Sequence, residues 1–320
     1  MVASSRLGRA AIDMVAGSLA GYPARMASLP WPFERPPLIV AAVTPLTDGG
    51  DRLDEDAVWP MAAFLAEHGA DGVFAGGTTG EGILLSIEER RRVAVAFRAA
   101  LRGRLIVHAG AQSTRDTAAL AAHAAEIGAD GVAVIPPPYF PLDAAALTDH
   151  FVAAAGACDP LPFFIYAFAA RSGYPVSPEV VGAVREAAPN LAGLKVSESP
   201  LDRVKPYLEL GLPVLIGSEP LLPPALALGA DGAVSGLAAA FPAEVRGALD
   251  QPDAAAEERL TALRAAMEAQ PFIASAKHVL ARRGLPVAAD MRAPMRTLTA
   301  DERARLDGAL DRLGTDLARA

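Results

Sequence analysis

The feature that most narrows the fold is a connection that recurs three times. His68-Gly69-Ala70-Asp71-Gly72, Ile127-Gly128-Ala129-Asp130-Gly131 and Leu228-Gly229-Ala230-Asp231-Gly232 each close an Ala-rich stretch of helical periodicity and open a short apolar run. The first glycine of each suits the left-handed cap that ends a helix, and a strand follows within a few residues. An internal echo of this kind is what a repeated helix-to-strand connection leaves behind. It sits within a longer alternation of candidate strands: Leu38–Val43, Gly72–Gly76, Leu105–Ala109, Gly131–Ile135, Pro162–Tyr166, Leu191–Lys195, Pro213–Gly217 and Gly232–Gly236. Eight such strands over roughly 200 residues, each with its helix, predict an α/β fold, the (β/α)8 TIM barrel. A doubly wound sheet rarely needs eight evenly spaced parallel strands.

The barrel takes residues 36–254. Beyond it, Ala255–Gln270, Phe272–Arg283 and Ala300–Ala318 are expected as three helices packed on the barrel, punctuated by Pro271, Pro286 and Pro294. This makes residues 255–320 a helical extension. Residues 1–35 form an N-terminal extension in which Leu7, Ala11, Met14, Val15 and Leu19 fall at helical spacing, followed by a Pro-rich linker from Pro30 to Pro37. Asp13 interrupts what would be the apolar core of a signal peptide, which argues against secretion and weakens an organellar presequence.

Composition removes several function classes. A net charge of −8 with no basic cluster gives no footprint for nucleic acid. No apolar run reaches the length of a membrane span. A single cysteine, Cys158, excludes an internal disulfide and fits a reducing, cytoplasmic compartment. The five histidines are scattered without ligand spacing, so no metal is expected.

In a barrel the residues just after each strand face one shared mouth, where chemistry occurs. They are Thr44 after the first strand and Gly77-Thr78-Thr79-Gly80-Glu81 after the second, with His108 and Gly110 at the third. Pro136-Pro137-Pro138-Tyr139-Phe140 follows the fourth, Tyr166 and then Arg171 the fifth, Lys195 the sixth, Ser218-Glu219 the seventh, and Ser235-Gly236 ends the eighth. Lys195 closes the buried-strand pattern Leu191-Ala192-Gly193-Leu194, and a lysine there is expected to be partly desolvated. Desolvation favours the neutral amine, a nucleophile toward carbonyls. The glycine turn is no Walker loop, because no G-K-[ST] follows. Its successive N–H groups beside two hydroxyls suit a carboxylate, although the same sequence also makes a plain tight connection. Glu81 is expected to be structural, bonding backbone donors at a helix start, and His108 to be a hydrogen-bonded wall of the cavity. Alone, Tyr166 could be an aromatic plug and Arg171 a surface ion pair. Together, these side chains suit a carbonyl substrate that carries a carboxylate.

The segment Gly72–Glu81, the trio Gly193-Leu194-Lys195, and Ser235-Gly236-Leu237-Ala238 with Phe241-Pro242 resemble signatures of the dihydrodipicolinate synthase / N-acetylneuraminate lyase group of Schiff-base lyases. The resemblance spans about Pro36 to Pro294. It implies a barrel, no cofactor beyond a covalent imine, no metal, and a homotetramer built as a pair of dimers, or a homodimer. It implies that Lys195 forms the imine with pyruvate or another 2-oxo acid and that Tyr166, assisted by Thr78, shuttles protons. Gly77, Thr78 and Thr79 would hold the 2-oxo acid carboxylate, with Val234 covering it, and Arg171 would meet the second, aldehyde-type substrate.

Three departures bear on the reaction. Where the synthases carry two tyrosines, this chain has Tyr139-Phe140; the usual Y-N-x-P is Tyr166-Ala167-Phe168-Ala169; and the asparagine usual in the eighth loop is Ala239. The first expectation is therefore an aldolase-type lyase acting on a 2-oxo-3-deoxy sugar acid, with Ser218 and Glu219 hydrogen-bonding its hydroxyls and Tyr139 lining the site. The alternatives are 4-hydroxy-tetrahydrodipicolinate synthase, a sugar-acid dehydratase, and a catalytically silent binding protein on the same fold.

Overall fold

The structure is a computed structural model that describes residues 29–31, 33–315 and 317. The expected helix around Leu7–Leu19 lies outside the described residues. Strands β1 (Leu38–Ala41), β4 (Gly72–Ala75), β5 (Arg104–His108), β6 (Gly131–Val134), β7 (Phe163–Ala167), β8 (Leu191–Val196), β9 (Val214–Ile216) and β10 (Gly232–Ser235) close into one parallel barrel. Between β1 and β4 the chain makes a small antiparallel hairpin of β2 (Leu46–Thr47) and β3 (Arg52–Leu53) that the sequence pattern did not announce. Two residues per strand are too few for an alternation to register.

The repeated connection works as its glycines suggest: Gly69, Gly128 and Gly229 all have positive φ. The aspartate that follows has its own role. Asp71 Oδ2 accepts the Leu38 N–H at 2.8 Å, Asp130 Oδ2 that of Leu105 at 2.9 Å, and Asp231 Oδ2 that of Val214 at 2.8 Å. Each carboxylate thereby satisfies a strand N–H at the barrel's lower rim, where water would otherwise have to serve.

Side chains alternate along each strand. Val40, Val73, Val107, Val134 and Ile165 join the layer between sheet and helices, while Ile39, Phe74, Ile106, Phe164 and Val234 meet inside the barrel. Leu29 and Trp31 belong to that inner cluster, Trp31 stacked on Phe164 with ring centres 5.5 Å apart. Phe164 and Gly131 lie near the starts of their strands, so Trp31 seals the floor. The expected Pro-rich linker is thus packed where it meets the barrel.

After β10 the described chain forms no further strand, and its α-helices are Pro242–Asp250, Ala254–Glu268, Phe272–Arg282 and Ala300–Arg312. The last helix stops short of the expected Ala318 at Arg312, and its Thr299–Glu302 capping box sets its start.

Candidate active site

On β8, Leu194 and Val196 face the helices, so Lys195 between them must face the barrel interior. Tyr166 does the same between Ile165 and Ala167, and the two residues are register partners on adjacent strands. Lys195 Nζ lies 3.9 Å from the ring centres of both Tyr166 and Phe74. Burial to 4 % exposure pulls the amine down to about 7, and the negative charge of Glu219 opposes that shift. The phenol of Tyr166 is shifted upward by burial, while hydrogen bonds with Thr78 and Ser197 act the other way. Thr78 Oγ1 stands 3.5 Å from the phenolic oxygen.

The glycine turn after β4 is shaped by backbone crowding. Gly76 has φ +68°, and a Cβ on Gly82 would collide with the Gly76 carbonyl. Thr44 Oγ1 donates to Gly80 O at 2.6 Å, tying the turn to the end of β1. Glu81 adopts the left-handed conformation with φ +56°, and its fully buried side chain lies in the lining of the smaller of two chambers at the barrel mouth. Its carboxylate accepts Lys277 Nζ at 2.6 Å and the Arg292 N–H at 2.8 Å, with no exposure of either side chain of the ion pair. The expectation of a structural Glu81 holds for its backbone donor, but that donor comes from the C-terminal region. A 3-10 helix, Gly82–Leu84, follows Glu81 directly without a side-chain cap from it, and the α-helix begins later, at Ile87, capped by Ser86.

Two chambers that share part of their lining open at the barrel mouth, and Lys195 lines the larger. The larger, of about 490 Å³, is lined by Thr78, Thr79, Tyr166, Lys195 and Val234 together with three hydroxyls, Ser197, Ser199 and Ser218. The smaller, of about 270 Å³, contains Gly77, His108, Gly110 and a set of aliphatic side chains. Thr78, Arg171, Ile273 and Met295 line both. Arg171 makes no ion pair among the described residues; its guanidinium lies 5.7 Å from the Phe168 ring centre. His108 is a buried wall, its ring edge-on to Tyr166 at 6.0 Å. Its Nδ1 meets Gly76 O at 3.1 Å, and burial keeps the imidazole neutral, well below its ordinary range.

Two expected positions are corrected. Glu219 is fully enclosed: Oε1 accepts from Ser235 Oγ and the Leu237 N–H, each at 2.8 Å, and Oε2 accepts from Arg264 at 2.8 Å. With both oxygens occupied it braces the end of β10 and does not present itself to a ligand. Tyr139 stands 83 % exposed outside both chambers, T-stacked on Phe140, with φ +86°. Sequence reasoning missed Ser197, whose placement two residues beyond Lys195 on the same face was the available signal. It also missed the wall contributed by Arg264, Phe272, Ile273 and Met295, which nothing local in the sequence ties to the barrel mouth. Among the described residues, no three His, Cys, Asp or Glu side chains are grouped to hold a metal ion, and no helix is long and apolar enough to cross a membrane.

Residues 35–313 match the model of the dihydrodipicolinate synthetase family. A protein of Halobacterium salinarum named as an uncharacterized DapA-like lyase is 37 % identical over 287 residues, covering 86 % of this chain and 93 % of its own. A prophage protein of the dihydrodipicolinic acid synthase family from E. coli K12, solved in complex with pyruvate, superposes with a TM-score of 0.83 at 26 % identity, covering 88 % of this chain and 99 % of its own. The N-acetylneuraminate lyase of Proteus mirabilis gives a TM-score of 0.81 at 27 % identity, with the same coverage.

Proposed function

The chain belongs to the dihydrodipicolinate synthetase family, and on that premise we propose that it is a class I lyase that makes or breaks a carbon–carbon bond through an imine on Lys195. The observation that carries this reading is a buried lysine, its amine pulled down to about 7, against the ring of a buried tyrosine. The neutral amine adds to C2 of a 2-oxo acid, and the hydroxyl of the resulting carbinolamine takes up a proton and leaves as water, giving a protonated imine. That imine draws electrons from C3, which loses a proton to become an enamine. The enamine carbon attacks the aldehyde carbon, the new C–C bond forms, and the aldehyde oxygen takes the Tyr166 proton. Water then hydrolyses the imine, releasing a 4-hydroxy-2-oxo acid and the free amine; the reverse sequence is cleavage.

The upward shift of Tyr166 keeps its proton in place until an alkoxide develops, and Thr78 and Ser197 are the groups that pass it on. Gly77, Thr78 and Thr79 hold the 2-oxo acid carboxylate under Val234. Arg171, without a protein carboxylate, meets the second substrate. Ser197, Ser199 and Ser218 support a hydroxylated partner, so a 2-oxo-3-deoxy sugar acid stays the first candidate even though Glu219 is withdrawn from it. The exposed Tyr139–Phe140 pair supports assembly as a homodimer or homotetramer. The single buried thiol fits the cytoplasm.

The test is to follow pyruvate release from 2-oxo-3-deoxy sugar acids beside condensation of pyruvate with aspartate semialdehyde. Faster cleavage of the sugar acids is expected. Robust semialdehyde condensation would favour the synthase reading instead, and loss of water from the sugar acid without pyruvate release would favour the dehydratase.

A further inference from the structure

The smaller chamber has a different chemistry from the one that holds Lys195. Its aliphatic walls are Ile83, Leu84, Ile135 and Pro138, with Ile273 and Met295 shared with the larger chamber; Thr78 and Arg171 line it where the two chambers meet, and Glu81, paired with Lys277, lines it as well. One buried polar atom in this lining lacks a partner: His108 Nε2, which lies beside Gly110 of the same chamber, where an added Cβ would come within 2.8 Å of it. The other ring nitrogen is turned to the Gly76 carbonyl, so a neutral imidazole with its proton on Nδ1 donates there. Nε2 is then a buried lone-pair acceptor without a partner, which is an expensive arrangement. Arg90 donates to His108 O and to Gly110 O, and its Nη2 stands 3.4 Å from Nδ1, farther than the Gly76 carbonyl at 3.1 Å. Arg171 lies where the two chambers adjoin.

We propose that the smaller chamber is a subsite for the end of the aldehyde remote from its carbonyl, and that this end is a hydrocarbon carrying at most one hydroxyl, which donates to His108 Nε2. The inference rests on the imine reading of Lys195 and narrows its substrate. The product is a 4-hydroxy-2-oxo acid hydroxylated near the new bond and deoxygenated at its far end. A polyol tail would strip its hydroxyls of water against Ile83, Leu84 and Ile135, whose side chains offer no replacement hydrogen bonds.

The experiment has two arms on the full chain. Borohydride reduction with pyruvate first reads whether the imine forms on Lys195 at all; absence of labelling overturns the imine reading and not the subsite. The second arm measures kcat/KM for condensation of pyruvate with propanal, butanal, pentanal and hexanal. Each methylene that enters the chamber is expected to raise kcat/KM about fourfold. Ile83→Asn, at a half-exposed position, and Ile135→Phe, which fills the space, are both expected to lower the hexanal-to-propanal ratio. His108→Phe is expected to abolish the preference for 3-hydroxybutanal over butanal. A flat or falling series in a wild-type protein that is labelled by pyruvate would overturn the subsite while leaving the imine intact.

Discussion

Tyr166 and Lys195 are register partners on neighbouring strands, and the lysine nitrogen rests 3.9 Å from the centre of the tyrosine ring. With Phe74 on another side, the ammonium is surrounded by aromatic faces and not by carboxylates, since Glu219 acts from a position where Arg264 already neutralises it. Cation–π attraction is weaker than full hydration, so the charged form is the one that suffers.

This has a consequence for stability. The amine titrates at about 7 in the fold and at 10.5 ordinarily, so between those pH values the unfolded chain binds more protons than the native one. Stability from this residue therefore increases as pH rises through that window, and the penalty is full below about pH 7. Lys195→Met is expected to melt at a higher temperature than wild type below about pH 7, by several degrees, with the advantage shrinking toward pH 10.5. Thermal melts of both proteins across that range check it; an advantage that grows with pH would contradict the assignment.

Tyr166→Phe removes the proton without disturbing the ring that packs against Lys195. The aldol step is expected to slow by about 10²- to 10⁴-fold while imine formation with pyruvate survives. Steady-state cleavage rates beside borohydride labelling separate the two. Ser197→Ala is expected to fall between Tyr166→Phe and wild type, because Thr78 still reaches the phenol.

Much of the architecture was legible because the barrel writes one unit repeatedly. The eight strands fall at the predicted places to within a residue or two, and four of them follow a positive-φ glycine, at Gly69, Gly128, Gly211 and Gly229. The inward placement of Lys195 and Tyr166 was legible because strand ends are the one place where barrel topology fixes direction. The fates of Glu219 and Tyr139 were not legible, because each depends on distant partners or on loop conformation. Arg264 lies 45 residues from Glu219, and Lys277 lies 196 from Glu81. Such pairings leave no periodicity for a local pattern to carry.

The Lys277–Glu81 pair predicts a stability effect far from chemistry. Removing one partner strands a buried charge, so Lys277→Met is expected to lose about 3–5 kcal/mol in urea unfolding. Adding Glu81→Gln should recover part of that loss by removing the stranded carboxylate charge while leaving an acceptor for the Arg292 N–H. A double variant less stable than the single one would contradict this account of the pair.

The floor of the barrel offers a spectroscopic test. Trp31 is 6 % exposed and Trp59 is 55 % exposed, and the sequence has no other tryptophan. Trp59→Phe should therefore leave a single buried emitter with blue-shifted fluorescence that shifts red on unfolding. Trp31→Ala should cost about 3–5 kcal/mol through the cavity left beneath Phe164. Red, solvent-like emission from folded Trp59→Phe protein would show that Trp31 does not seal the barrel.

The most direct measurement is borohydride reduction in the presence of pyruvate, followed by mass spectrometry of the peptide containing residue 195. The expected result is an irreversible adduct on Lys195, heavier by one pyruvic acid less one oxygen atom, absent from Lys195→Ala, and formed faster as pH rises toward about 7. Pyruvate that binds without ever labelling Lys195, or labelling that falls on another lysine, would contradict the mechanism.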